Sequence, residues 1–383
     1  YRGLSPSREP DRRKLRELRK ALAELAIPTA MTVRERPTGE RPSTPLRVRG
    51  AFTSPGERLY AAVPAALHPL PESAMPNRLG LALWLVDENN PLTPRVTVNR
   101  IWEQYFGHGL VETSEDFGTQ GERPSHPELL DWLATEFLQQ GTHLKPIHRL
   151  IVLSATYRQS SHVTPALREH DPYNRLLARG PRFRIEAEMV HDLALAASGL
   201  LSGKVGGPSV FPFQPEGIWD NPYSDDRWQT SAGEDRYRRA LYTFARRTAP
   251  YPGLTVFDAP SREFCTARRV RTNTPLQALT TLNDPVFFEA ARALAARTLK
   301  EAATAPEERA VLAFRLCTAR RPTAPEVAPL LSFEERQLAR FKADPEAARA
   351  VAGAQAPGEA AELAAWTMVA NVLLNLDETL TKE

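Results

Sequence analysis

Apolar residues that recur every three or four positions, in short runs cut by proline, constrain this chain more than any other feature. Such spacing puts one apolar stripe on a helix. Proline suits a first helical turn and stops or kinks a helix elsewhere. The chain therefore reads as a series of short helices.

The first is residues 11–26, where Leu15, Leu18, Leu22 and Leu25 form the stripe and Pro28 closes the run. Residues from there to about 70 are rich in Pro and Gly. Within them Met31–Arg36 and Leu46–Phe52 alternate apolar with polar residues, which predicts two short half-buried strands in a small β-unit or extended arm. From Asn77 the pattern is helical again. Leu79, Leu83 and Val86 mark one helix, and Val98, Ile101, Trp102, Tyr105 and Phe106 a second that Gly107 stops. Ser125 and Glu128 have capping-box spacing ahead of a helix burying Leu129, Leu133 and Phe137. A further helix runs from Lys145 to about Tyr157, and another over 184–202 with Ile185, Met189, Leu193 and Leu200 inward. Residues 203–235 are rich in Pro, Gly and aromatics, and Tyr237–Arg246 alternates like a strand. The last third predicts helices over 274–300, 306–319, 323–342 and 359–376, the first broken at Asn283-Asp284-Pro285.

Composition narrows the class. Hydrophobic residues are 42% and charged residues 25% of the 383, as in globular proteins rather than disordered ones. No apolar run approaches the ~18 residues that span a bilayer. The net charge of +3 is uneven, because residues 1–50 hold 13 Lys+Arg against 6 Asp+Glu. A basic arm can bind nucleic acid; a solvated helix in an arginine-rich sequence explains it as well, and that reading is preferred. Cys265 and Cys317 could form one disulfide, and no C-x-x-C-H for haem attachment occurs. The chain starts at Tyr1 with no signal peptide in view, as an excised or processed piece would.

Ordered blocks then stop looking generic. The run Asn90-Pro91-Leu92-Thr93-Pro94-Arg95-Val96-Thr97-Val98-Asn99-Arg100-Ile101-Trp102 leads to Phe106-Gly107-His108-Gly109-Leu110-Val111 and Asp116-Phe117-Gly118. His126-Pro127-Glu128-Leu129-Leu130-Asp131-Trp132-Leu133, His148-Arg149-Leu150-Ile151 and Ser154-Ala155-Thr156-Tyr157-Arg158-Gln159-Ser160 follow. Later come Asp171-Pro172, Asn174-Arg175-Leu176-Leu177, Glu186-Ala187-Glu188, Gly206-Gly207-Pro208-Ser209-Val210, Tyr237-Arg238-Arg239-Ala240-Leu241-Tyr242 and Phe257-Asp258-Ala259-Pro260. Cys265-Thr266-Ala267-Arg268-Arg269, Thr272-Asn273-Thr274-Pro275-Leu276-Gln277 and Leu374-Asn375-Leu376-Asp377-Glu378 complete the series. Over about 76–380 these blocks resemble the DUF1553 (PSD1) family, with His191 a departure where a basic residue is expected. The resemblance implies the C-terminal module of exported, planctomycete-type multidomain proteins. It implies a periplasmic or envelope setting, and partners among upstream DUF1549 and cytochrome-like domains or a separate envelope protein. Haem c would sit upstream, with no cofactor in this chain. The family carries no assigned function, so no catalytic residue transfers.

Five constellations could carry chemistry. Asn99, Arg100, Glu103, His108, Asp116, His126 and His148 supply imidazoles and carboxylates of the kind that ligate zinc or iron, although no H-x-x-x-H pair occurs and no metal is assigned. A buried hydrogen-bond network explains the same residues. Glu188-x-x-His191 has the spacing of carboxylate-bridged iron sites, in a single copy. Arg246, Arg247, Arg262, Arg268, Arg269 and Arg271, with Asn273 and Gln277, suit an anion, a partner's acidic patch or a salt-bridge network. Ser154 lacks a G-x-S-x-G setting, and Cys265 sits beside two arginines. Trp219, Tyr223 and Trp228 in the loop 211–228 could stack on glycans or pack inward.

The expectation is a mainly α protein with short antiparallel β elements (α+β), a helical body carrying an N-terminal β arm. Residues 1–75 form the arm and 76–383 the helical domain, with a subdivision near 203–273 left open. The leading functional expectation is an interaction or assembly module. An envelope enzyme acting on complex polysaccharide with a metal or redox partner competes with it, and a glycan-binding module is the third reading.

Overall fold

A computed structural model describes residues 6–25, 30–37, 40, 43–220, 227–302, 304–353 and 360–382. It is about half helical with two small antiparallel sheets, so the mainly α reading holds. Contacts divide the chain into two units, Tyr1–Pro91 and Leu92–Glu383. No helix among the described residues is long and apolar enough to cross a membrane.

The first unit holds helix α1 (Glu9–Glu24), strands β1 (Thr44–Arg47) and β2 (Pro55–Leu59), and helix α2 (Arg78–Leu85). Asn77 caps α2 by accepting from the Gly80 N–H at 2.8 Å. Trp84 on α2 stacks on His68 and donates its indole N–H to the His68 carbonyl at 2.8 Å. The strands depart from expectation. Met31–Arg36 forms no strand, and Leu46–Phe52 is split by a turn at Val48–Gly50, where Arg49 adopts φ 52°. Nearly every hairpin residue is exposed, so the alternation marks no buried face.

The second unit begins with a helical trio, α3 (Thr93–Phe106), α4 (Pro127–Gln139) and α5 (Leu144–Leu153). Val98, Trp102, Phe106, Leu133, Phe137, Ile147 and Ile151 form its core, close to the predicted stripes. The short α6 (Pro165–His170) and strand β3 (Phe183–Arg184) lead into α7 (Ala187–Ser198). After the short α8 (Pro252–Thr255) comes a helical bundle: α9 (Pro275–Asn283), α10 (Pro285–Glu301), α11 (Pro306–Thr318), α12 (Ala324–Ala343), α13 (Pro345–Ala352) and α14 (Ala360–Leu374). Proline sits in the first turn of α9, α10, α11, α12 and α13, where its missing N–H is no loss. Helix α14 is apolar all round, as a central helix must be. It packs against α10, α12 and α13, and Ala290, Ala291, Ala295, Ala364 and Ala365 are buried in the shared core. Strand β4 (Thr381–Lys382) returns to pair with β3.

Four local expectations fail for identifiable reasons. Ser125 and Glu128 make no capping box; His126 takes the cap position, and the Ser125 hydroxyl donates to the Leu110 carbonyl at 3.3 Å. Helix α5 stops at Leu153 because Ser154 bonds the Ile151 carbonyl and then receives the Tyr157 N–H. Helix α7 buries Val190, Ala194, Leu195 and Ala197, the phase that meets α10, and leaves Met189 54% exposed. Tyr237–Arg246 follows a 3-10 turn at Gly233–Tyr237 and contains another at Ala240–Tyr242, with isolated bridges to Ser202 and Val210 rather than a strand.

Candidate functional site

The polar residues of the first signature block close on their own backbone. Asn99, fully buried on α3, accepts from the Val111 N–H at 2.8 Å and donates to the Val111 carbonyl at 3.1 Å. It also donates to Ser114 Oγ at 3.2 Å, and Ser114 donates to Glu103 Oε2 at 2.7 Å. One helix face thus clasps the loop after α3. Gly109 makes the approach possible, since a Cβ there would lie 2.5 Å from both Asn99 Nδ2 and the Val111 carbonyl. Arg100, from the same helix, is exposed.

The imidazoles of that set do not converge. His108 Nδ1 lies 3.0 Å from Glu112 Oε1, which Arg268 also reaches at 3.4 Å. His126 contacts Ser125 at 3.0 Å, and His148 meets Tyr105 Oη at 2.9 Å. The Asp116 carboxylate accepts from the Gly118 N–H at 2.7 Å. His108 and Arg268 are therefore brought together through Glu112, while Asp116, His126 and His148 are engaged elsewhere. Among the described residues no group of three His, Cys, Asp or Glu is placed to hold a metal ion. Glu188 and His191 part company: Glu188 pairs with Arg269 at 2.6 Å, and buried His191 faces Asp192 at 3.4 Å. Burial pushes the Asp192 carboxyl up, but His191, the Ala240 N–H and Arg239 together hold it below its ordinary range.

The arginine cluster divides in the same way. Arg269 bridges Glu186 and Glu188, and Arg271 pairs with Glu186 at 3.3 Å while lying over the Phe183 ring. Buried Gln277 donates to the Val256 carbonyl at 3.1 Å and receives from Arg184 at 3.3 Å. Asp258 takes the Thr272 N–H and hydroxyl at 2.8 and 2.7 Å. Arg246 lies over the Trp219 ring, and Arg247, Arg262 and Asn273 are exposed. The ion-pair network is realised for Arg268, Arg269 and Arg271.

The aromatic loop turns inward. Trp219 is buried and makes edge contacts with Trp228 and Phe244, while Trp228 stacks on Tyr251 and donates its N–H to the Pro212 carbonyl at 2.7 Å. Tyr223 lies outside the described residues. The cysteines form no disulfide: Cys265 is exposed on a loop, and Cys317 is buried in α11, where burial pushes its thiol up to about 12. Unpaired thiols, one at the surface and one in the core, correct the disulfide expectation.

Two features had no local signal in the sequence. Lys382 on β4 donates to the Tyr105 carbonyl at 2.6 Å and lies over the rings of Tyr105, Tyr157 and Phe183. Burial, helped by Arg271, pulls its ammonium down to about 8. Beside it a cleft of about 520 Å³ opens between the loop after α3 and residues 171–183, with His108, Glu112, Arg175 and Arg182 among its walls.

A family model described as PSD1, a protein of unknown function (DUF1553), matches residues 77–333, about two thirds of the chain. No curated protein and no solved structure matches.

Proposed function

We propose that this chain, which belongs to the PSD1 (DUF1553) family, is an interaction module that docks an acidic amphipathic helix onto α1. The observation that carries this is the exposure of the α1 stripe. Leu15, Leu18 and Leu22 on α1 and Leu25 at its C-terminal cap are 49%, 60%, 62% and 61% exposed, and no residue of α1 is buried. Their spacing of three, four and three is the seam of a two-stranded coiled coil. An isolated helix near 15 residues is marginal in water without tertiary packing.

Charge selects the occupant. The positions flanking the seam are Lys14, Arg19 and Arg12, the last already paired with Glu9 at 2.6 Å, whereas Glu17 and Glu24 lie on the outer face. Pairing two copies in parallel would set Lys14 against Arg19, a repulsive contact. A helix with glutamates beside its own leucines meets no such penalty.

Magnitude says what kind of partner this is. Burying the remaining half of four leucines gives on the order of 3–6 kcal/mol. Association costs about 4–15 kcal/mol. The seam alone is weak and suits a partner held nearby at high effective concentration. An upstream domain of the same polypeptide, or an envelope protein in the same complex, fits that requirement. The exported, cytochrome-associated setting with DUF1549 modules belongs to this proposal and is supported by the family resemblance.

The test uses the full chain and two synthetic three-heptad peptides with leucine seams, one flanked by Glu and one by Lys. Calorimetry and helical circular dichroism should report binding of the Glu peptide alone, lost in Leu18→Ser/Leu22→Ser. The proposal is overturned if neither peptide binds, if both bind equally, or if the chain dimerises through α1 instead.

A further inference from the structure

We infer that the cleft beside α3 binds a small organic carboxylate carried on a flat, ring-sized body. This rests on different residues from the α1 reading and stands or falls separately. Its volume of about 520 Å³ lies within the range of small-molecule sites. Trp102 and Phe106, stacked 4.1 Å apart at 15°, form the aromatic part of its lining with Tyr173 and Phe183, and Leu110 and Leu177 add aliphatic surface. Such walls accept a flat apolar body.

Charge chooses the polar end. The walls carry Arg175, Arg179, Arg182 and His108 against a single acid, Glu112. Glu112 is itself held by His108 and Arg268. Arg175 faces Glu122 at 4.0 Å, and Arg182 pairs with Asp377 among its contacts; neither of these carboxylates belongs to the lining. Both arginines keep roughly half of their side-chain surface exposed. A guanidinium offers five donors in a fork, so at Arg175 the carboxylate 4.0 Å away leaves further N–H groups to point elsewhere. This excess suits one anionic group rather than a polyphosphate.

The wall is built in advance. Asp171 accepts from the Arg175 and Leu176 N–H groups, both at 2.8 Å. The Arg179 guanidinium donates to the Asp171 and Pro172 carbonyls, both at 2.9 Å. Gln159 donates to the Leu177 carbonyl at 3.0 Å. Asn174 and Leu177 hold φ of 53° and 57° without being glycine. Left-handed backbone at a leucine persists only where surrounding structure over-determines it, and such residues cluster at ligand clamps.

The probes are 2-naphthoate, its neutral twin 2-naphthamide, and inorganic sulfate, titrated into the full chain by calorimetry and ligand-observed NMR. Saturable 2-naphthoate binding is expected, about ten-fold or more tighter than 2-naphthamide. Arg175→Gln should weaken it by a similar factor, and Glu112→Gln should tighten it. Arg175 is half exposed, and circular dichroism will show that its variant remains folded. The inference is overturned by absent saturable binding, by equal affinity for the two twins, by sulfate binding as tightly as the aromatic acid, or by a folded Arg175→Gln that binds unchanged.

Discussion

Replacing Asn99 by alanine separates a clasp from a reagent. The substitution strips Val111 of both the acceptor for its N–H and the donor to its carbonyl, in a region with no solvent to replace them. Each buried group left unpaired costs about 1–3 kcal/mol. Ser114 keeps Glu103, so its loss is small. The sum is roughly 2–6 kcal/mol, and each kcal/mol lowers the midpoint of a domain this size by about 2–4 °C. The thermal unfolding midpoint followed by circular dichroism should therefore drop by roughly 4–24 °C. Gly109→Ala strikes the same clasp from the other side, because its Cβ meets the Asn99 amide and the Val111 carbonyl at 2.5 Å. Overpacking of that kind costs about 1–3 kcal/mol. Two lesions in one clasp should add to less than their sum. A loss below about 0.5 kcal/mol in Asn99→Ala, or full additivity in the double variant, would refute the reasoning.

Two further outcomes follow from buried titratable groups. Lys382 binds its proton less tightly in the folded chain than in the unfolded one, with a folded value of about 8 against an ordinary 10.5. The unfolded chain thus holds more protons between those values, and stability should rise as pH climbs from about 8 towards 10. Urea midpoints of the wild type measured against Lys382→Met across that window check the sign; a difference that stays flat or reverses would show that the surrounding rings and carbonyl offset burial. For the cysteines, a chromogenic thiol reagent should count one reactive group per native chain, Cys265, and two in denaturant. No reactive thiol in either state without reductant would restore the disulfide.

The parts of the fold legible in the sequence are those where periodicity and burial coincide. The α3 and α4 stripes, the break at Pro285 and the bundle helices were readable because each apolar stripe meets a partner helix. The strand at Met31–Arg36 was misread because alternation predicts a strand only when one face is covered, and that segment is exposed throughout; Tyr237–Arg246 buries alternate residues, Arg238 and Ala240, but meets only isolated bridges at Ser202 and Val210 instead of a partner strand. Helix α13, Pro345–Ala352, was missed because it is only eight residues long and its buried face is made of alanines, Ala348 and Ala352, rather than large apolar side chains. The clasp of Asn99, Glu103 and Ser114 was half legible: the helix spacing of the first two was visible, but the loop that returns to them was not. Lys382 and the cleft were illegible, because residues near 105, 157, 183 and 382 meet only through tertiary packing.

Density of signature residues and density of chemistry are different quantities here. Loops between helices lack repeating backbone hydrogen bonds, so each buried N–H and carbonyl needs its own side-chain partner. Asn99 supplies one such pair of bonds to Val111, Asp171 another to Arg175 and Leu176, Asp192 one to Ala240, and Gln277 one to Val256. These polar residues fall in or beside the blocks that carry the family resemblance, and their side chains are committed to the chain itself. A residue already holding a loop together at about 1–3 kcal/mol per bond is poorly free to take up a ligand as well. The surfaces proposed to meet another molecule are the Lys14–Arg19 flanks of the α1 seam and the wall of the cleft that carries Arg175. Substitutions in the clasps should therefore read out as stability and substitutions at these two surfaces as binding, except at Asp171, whose bonds to Arg175 and Leu176 also shape the cleft wall and should move both.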